Sequence, residues 1–577
     1  MNVLLLHPED PLTTLPAGRW DLIVDLARAP AERYRQWSHQ VDCQVISLYD
    51  FAEEVEDLYR LRQLLRPWMM QVVDGHGIDW WDVLSLEMAP AIQQLMLIRR
   101  LAQGLDGNCR LFMKRSHFLA SALQDLLRVP LRTAEAPLQT SLRRVRRYGE
   151  RFAQLDSAAM KQVIRDKIEA RNIMPRFRLT RRHRERPAIL LPTAYVNGSR
   201  MALAYAAQLP DCEFILAATR RCGPHVSLPP NVQAKSLRPY FGSVGKSEIA
   251  TLRESWERVR GRLVGSDEMF RVADRVGVFR RIPALLRWGV GLRDAWNRFF
   301  EHENISGCLC TDDSNPPTRI PLLLAKKRGL PALACHHGAL DYAAAFKTHH
   351  PDCYIAKTEM EQDYLLHIGQ VDREKIIAAA PQVPDRVPRF VNHASEKDWL
   401  VFFTEPYANF GWRVHEVYAD LLPRLCWLAQ ACGLKLVFKL HPFESIKGFR
   451  RILGRYLPKQ QAQIEVISGA PSDQLWTRIR FALTVQSSIA LESTALGIPV
   501  FLCAWLRDGY SGYVGQYARF GVGRVLETPG EFKEIPRLLR TQNVTSFARP
   551  TRWRTIGPTA LASLFSGNLT FPFADCC

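Results

Sequence analysis

Lys435-Leu436-Val437-Phe438-Lys439-Leu440-His441-Pro442, answered further along by Phe481-Ala482-Leu483-Thr484-Val485-Gln486-Ser487-Ser488-Ile489-Ala490-Leu491-Glu492 and Gly497-Ile498-Pro499-Val500, decides how this chain folds. The apolar run 435–438 predicts a short buried strand, and Pro442 stops it where a helix can begin. The run 481–485 predicts a second strand. Ser487 and Ser488 then open a helix whose apolar side is Ile489, Leu491 and Leu496. Hydroxyls and N–H groups at such a helix start form an anion site, assisted by the helix dipole. Gly497 ends the helix, Pro499 follows, and 500–502 predicts the next strand. Each half of the stretch therefore ends a buried strand on groups suited to a phosphate, as in a nucleotide-binding α/β domain.

The same alternation extends upstream. Segment 399–403 predicts the first strand of this domain, expected over 385–540, and Thr404-Glu405-Pro406 at its end faces the same crevice. Strand 188–192, the loop from Thr193 to Ser199, a helix to 209 and strand 213–217 begin an earlier Rossmann-like domain, expected over 187–384. In that loop Gly198 gives the backbone room and Ser199 is a reasonable helix cap. Asn197, Gly198 and Ser199 are thus placed where open parallel sheets bind ligands, here on the acceptor side. A charged helical insertion occupies 240–303, and strands 307–310, 331–335 and 352–356 follow, with a helix at 320–328. Residues 1–130 form a further α/β unit with strands at 3–6, 22–24 and 44–47 and helices at 55–68, 84–101 and 117–127. Trp80-Trp81 there is a packed helix start capped by Asp79 rather than a sugar platform. A basic helical linker is expected over 131–186, and 541–577 should include a helix that packs back across the domains. The fold class is α/β: two Rossmann-like domains facing a cleft, with an additional N-terminal α/β unit.

These residues resemble the donor domain of two-domain GT-B glycosyltransferases. The similarity is greatest to the bacterial capsule and surface-polysaccharide branch, with its polysialyltransferases, Kdo transferases and CDP-glycerol glycerophosphotransferases. It covers about 385–530, with a weaker match over 187–380. The resemblance implies that His441-Pro442 and Ser487-Ser488 hold a pyrimidine nucleotide, with a CMP-linked sugar favoured. It also implies that Glu492 supplies a carboxylate for the donor ribose or sugar. The implied activity is transfer of a sugar from a nucleotide sugar to a growing surface polysaccharide or glycolipid acceptor. No cofactor and no metal are implied, because helix dipoles and side chains act where other transferases use a cation. A CDP-polyol phosphotransferase, a nucleotide-sugar epimerase and a non-catalytic sugar-nucleotide or nucleic-acid binding protein are the alternatives, since fold alone does not separate them.

Sugar transfer needs a base for the acceptor hydroxyl and groups that hold the leaving phosphate. His336-His337-Gly338 at a strand's carboxyl edge resembles the His-Gly turn before the interdomain cleft of this enzyme group. His337 or Asp341 is therefore a candidate base, as are Asp312 and Asp313 of the neighbouring loop, whose structural alternative is to cap the next helix. The acidic triplet that supplies this base in polysialyltransferases is not evident. For the phosphate, His441 can donate a ring N–H. Lys439 lies two residues back on the same strand face, and the Thr404 hydroxyl is within reach.

The 77 Lys and Arg against 58 Asp and Glu leave a net charge of +19, concentrated partly at 143–147 and 176–186. A solvated linker or an anionic membrane surface accounts for those clusters. Nucleic acid is disfavoured, because no zinc-finger, RRM, KH or helix-turn-helix pattern accompanies the charge. No apolar run approaches a membrane span and the start lacks a signal-peptide pattern, so the expected location is the cytoplasm, peripheral at the inner face of the plasma membrane. The 13 scattered cysteines form no paired CxxC units and suggest reduced thiols; lipidation at Cys576-Cys577 is disfavoured in a chain of bacterial character.

Overall fold

The computed structural model describes residues 1–10, 18–134, 186–193, 196–218, 228–335, 347, 349–381, 397–441, 443–460, 463–469, 471–507, 514–541 and 556–566. Its strands form three sheets, and every strand pairing is parallel.

The N-terminal sheet holds β1 (Asn2–Leu6), β2 (Leu22–Asp25), β3 (Gln44–Ser47), β4 (Arg110–Met113) and β5 (Leu131–Thr133), in the order β3-β2-β1-β4-β5. The middle sheet holds β6 (Ala188–Thr193), β7 (Phe214–Ala218), β8 (Val232–Ser236), β9 (Ile305–Cys310), β10 (Ala332–Cys335), β11 (Cys353–Ala356) and β12 (Ile376–Ala378), in the order β12-β11-β10-β9-β6-β7-β8. The C-terminal sheet holds β13 (Trp399–Phe403), β14 (Lys435–Lys439), β15 (Glu465–Ile467), β16 (Ile479–Thr484), β17 (Val500–Cys503) and β18 (Arg524–Leu526), in the order β15-β14-β13-β16-β17-β18. Each sheet starts in its interior, winds outward to one side and then crosses to the other. That is the doubly wound topology, with two Rossmann-like sheets and an additional N-terminal α/β unit. Parallel sheets need both faces covered, which explains why β6 and β13 are buried along their whole length.

The helical insertion is not an appendage. Helices Glu268–Arg275 and Ile282–Glu303 pack against helix Trp80–Gly104 of the N-terminal unit, and helix Lys246–Ser266 packs on those two, in one apolar core that runs through to the middle sheet. Gly289 shows how close the approach is: a Cβ there would lie 2.3 Å from the Trp80 ring. Trp80 and Trp81 are buried and Asp79 accepts from the Trp81 N–H at 3.0 Å, so the pair is a capped, packed helix start as expected. Near the C-terminus, helix Pro558–Ser563 returns to the middle sheet, with Leu561 in its core and the Ile556 N–H on Ala380 O at 3.0 Å.

One local expectation changes. The helix after β6 is Val196–Ala206, so Asn197, Gly198 and Ser199 lie in its first turn and not in a loop before it. Ser199 does not cap that helix; its buried hydroxyl meets the Thr193 hydroxyl at 2.9 Å.

The N-terminal unit is clamped to the C-terminal domain. The Arg413 guanidinium donates to both oxygens of buried Asp25, at 2.7 and 2.6 Å, and to the carbonyls of His7, Pro8 and Asp10. Backbone bonds Arg28 N–Gly411 O (2.8 Å) and Arg413 N–Arg28 O (2.7 Å) complete the seam.

Candidate functional site

In the C-terminal sheet the strand order reverses between β13 and β16, and ligands of such sheets sit outside the carboxyl ends at that point. β13 delivers Thr404 and Glu405 there, β14 delivers Lys439 and His441, and β16 delivers Gln486, Ser487 and Ser488. Six of the expected residues, with Gln486 beside them, thus converge because each directly ends, or closely follows, a buried strand.

Their bonding separates them. Glu405 is 3% exposed, and its Oε1 accepts from the N–H groups of Val485 (3.1 Å), Gln486 (2.7 Å) and Ser487 (3.0 Å). The Thr484 hydroxyl lies 2.9 Å from the same oxygen. Successive N–H groups before a helix are an anion-binding concavity; here the chain fills it with its own carboxylate. Burial pushes the Glu405 carboxyl up to about 7, against the lowering effect of those N–H groups. The Ser487 oxygen accepts weakly from Ile489 N at 3.4 Å, whereas the Ser488 hydroxyl makes no cap bond.

Thr404 is spent on positioning. Its hydroxyl donates to Glu444 and accepts from the His441 N–H at 2.9 Å. Glu444 also accepts from the His441 N–H at 3.2 Å and from the Tyr418 hydroxyl at 3.1 Å, and burial raises its carboxyl above the usual range. The imidazole of His441 accepts at Nδ1 from the Phe443 N–H at 3.2 Å, which assigns the ring proton of the neutral form to Nε2. Pro442 lies outside the described residues.

Lys439 is 5% exposed, and its ammonium donates to Leu440 O at 3.0 Å with no carboxylate in ion-pair contact among the described residues. Burial lowers its pKa to about 8, with the nearby Arg200 guanidinium adding to the effect and Glu444 opposing it. Arg200 comes from helix Val196–Ala206 of the middle domain and pairs with Glu492 across the interdomain cleft. Glu492 is therefore engaged by a cation of the facing domain.

On the other edge, Asp312 and Asp313 are bonded within the fold. Asp312 accepts from Ser314 N at 3.0 Å and Asn315 Nδ2 at 2.7 Å. Buried Asp313 accepts from Arg319 (3.0 Å), Lys347 (2.5 Å) and the Tyr354 hydroxyl (2.9 Å). His337 and Asp341 lie outside the described residues, as does the side chain of Asn197. Arg200 and Glu444 were missed from sequence. Glu444 had a signal: a carboxylate three residues after His441 that reaches back to its N–H, as in a capping box. Arg200 had none, because its partners lie in the other domain.

No protein-family model and no curated protein sequence matches the chain. Among solved structures it is similar to S. aureus MnaA with UDP, at 13% identity and TM-score 0.39 over 66% of this chain and 94% of that one. It is also similar to the wall teichoic acid polymerase TagF with CDPG, at 14% identity and TM-score 0.39 over 72% and 96%. A third is the UDP-GlcNAc 2-epimerase of Methanocaldococcus jannaschii, at 11% identity and TM-score 0.39 over 66% and 99%. The topology above rests on strand order and register, independently of these distant overlaps.

Proposed function

We propose that this chain is a glycosyltransferase that holds a nucleotide sugar, CMP-linked by preference, at the carboxyl edge of the C-terminal sheet. It moves the sugar to a surface polysaccharide or glycolipid acceptor. The observation that carries the reading is Lys439: an ammonium buried at a topological switch point, with no carboxylate in ion-pair contact among the described residues, is retained at a cost in stability, which an anionic ligand would offset. In this reading Lys439 and the Ser488 hydroxyl bind the donor phosphates, and the His441 Nε2–H supports the leaving phosphate as charge develops on it. Arg200, held by Glu492 beside Lys439, adds positive potential from the facing domain. Glu405, Thr404 and Glu444 shape the two turns that carry these donors. Because Asp312 and Asp313 are bonded within the fold, the proposal assigns the acceptor's base to His337 or Asp341.

The test is donor hydrolysis and transfer with CMP-, CDP-, UDP- and GDP-linked compounds. Turnover of a CMP-linked sugar that Lys439→Met abolishes is the expected result. Absence of both turnover and binding for the whole panel overturns the proposal.

A further inference from the structure

Away from that cleft, a cavity of about 290 Å³ lies between the N-terminal unit and the middle domain. Helix Glu54–Leu65 and the turn after it contribute Arg62 and Arg66, helix Trp80–Gly104 contributes Ser85, and the segments before β11 and β12 contribute Lys347, His350 and Lys375. Three buried polar atoms of this lining have no hydrogen-bond partner among the described residues: Arg62 Nη1, Ser85 Oγ and His350 Nδ1. Ser85 is only 1% exposed, so water does not readily replace the missing partner.

The charges are also unbalanced. Lys347 is answered by Asp313 and Lys375 by Asp372, each at 2.5 Å. Arg62 and Arg66, one helical turn apart, have no carboxylate in ion-pair contact among the described residues, and like charges at that spacing repel. Burial first, and Arg66 second, lower the Arg62 guanidinium below its ordinary range. Burial brings His350 down to about 4, so at neutral pH it is an uncharged imidazole that offers one N–H. Two guanidinium groups, a hydroxyl and a neutral imidazole match the oxygens of a phosphate group. The cavity is larger than that group alone needs, and Leu65, Met69 and the Trp81 ring give it an apolar side. The Trp81 N–H is already bonded to Leu65 O at 2.8 Å, which leaves carbon surface for contact.

We propose that this seam is a second anion site, taking the phosphate of a small phosphorylated organic molecule on Arg62, Arg66, Ser85 and His350. It shares no residue with the nucleotide site and does not depend on the activity assigned there. A ligand seated in it would contact both units and tie the N-terminal unit to the middle domain.

Calorimetry and thermal midpoints on the full chain at low ionic strength, with inorganic phosphate and with glucose 6-phosphate as probes, test the proposal. Both should bind, the sugar phosphate more tightly, and each should raise the midpoint. Arg62→Gln with Arg66→Gln should weaken binding by about tenfold or more, as expected for lost charge-assisted hydrogen bonds. Ser85→Ala removes a hydroxyl without a partner among the described residues, so it should weaken binding while leaving the unliganded midpoint in place. That variant keeps the test decisive if the arginine variant folds poorly. Lys439→Met separates the sites, because it should leave glucose 6-phosphate binding unchanged. Binding insensitive to both the arginine and serine changes, binding abolished by Lys439→Met, or no binding of either probe at millimolar concentration would overturn the proposal. Tighter binding of inorganic phosphate than of glucose 6-phosphate would refute the organic part of the ligand.

Discussion

Replacing Lys439 by Met should make the protein more stable and the nucleotide bind less well. A fall in pKa from the ordinary 10.5 to about 8 corresponds to about 3 kcal/mol of disfavour for the ammonium in the folded chain. At 5% exposure little of that is relieved by solvent. The sign follows from proton binding. Between about pH 8 and 10.5 the unfolded chain holds a proton that the folded chain has lost, so stability rises with pH across that window, and the full deficit is present below about pH 8. Met has similar length and no charge, so at pH 7 it removes the deficit but forfeits the bond to Leu440 O. A net gain of about 1–2 kcal/mol remains, visible as a higher thermal midpoint. The advantage should shrink as pH climbs from 8 towards 10.5. Nucleotide binding should move the opposite way. Loss of a charged donor weakens it by about 1.5–3 kcal/mol, or about ten- to a hundredfold. Wild-type affinity should decline as pH rises through about 8 while that of the variant stays flat. Calorimetry with CMP at pH 7 and 9, beside thermal melts of both proteins, reads all of this. A variant that melts lower at pH 7 and binds nucleotide as tightly as wild type would refute the argument and reduce Lys439 to a packing residue.

His441→Ala should cost about 1.5–3 kcal/mol of nucleotide or transition-state binding; unchanged calorimetric affinity together with unchanged turnover removes His441 from the site. Asp341→Asn should lower transfer by about 10²–10⁴-fold at an unchanged midpoint. A wild-type rate with a lowered midpoint makes Asp341 structural and moves the base to His337. Asp25→Ala strands the buried Arg413 guanidinium, which is 7% exposed, and should destabilise the seam by about 3–5 kcal/mol; a denaturation midpoint like that of wild type would show the clamp to be dispensable. The arginines at 143–147 and 176–186 should give salt-sensitive co-sedimentation with anionic vesicles, and equal binding to neutral vesicles contradicts that reading. Among the described residues, no helix is long and apolar enough to cross a membrane.

The interior strands were legible because a strand covered on both faces is a continuous apolar run. β13 occupies the residues expected for it, and β14, β16 and β17 differ from expectation by one or two residues at their ends. Of the edge strands, β3 lies at the expected 44–47, whereas the other five were not legible. β5, β12, β15 and β18 are three residues each, and β8 carries Gln233, Lys235 and Ser236, so none has an apolar pattern long enough to register.

The location of the site was likewise local information, since a ligand crevice follows from where parallel strands end. What each side chain there is free to do was not. Glu405 is occupied by N–H groups some 80 residues away, and Glu492 by an arginine 292 residues away in the facing domain. Lys439 could be a solvated lysine or a buried cation on its sequence alone, and the choice is made by what packs over it. Apolar periodicity is written along the chain, so the amino-acid order determines the strands and their carboxyl ends. Desolvation and charge pairing depend on distances between segments remote in sequence, so only the assembled domains decide which of those ends holds a spent group and which a cation still lacking its anion.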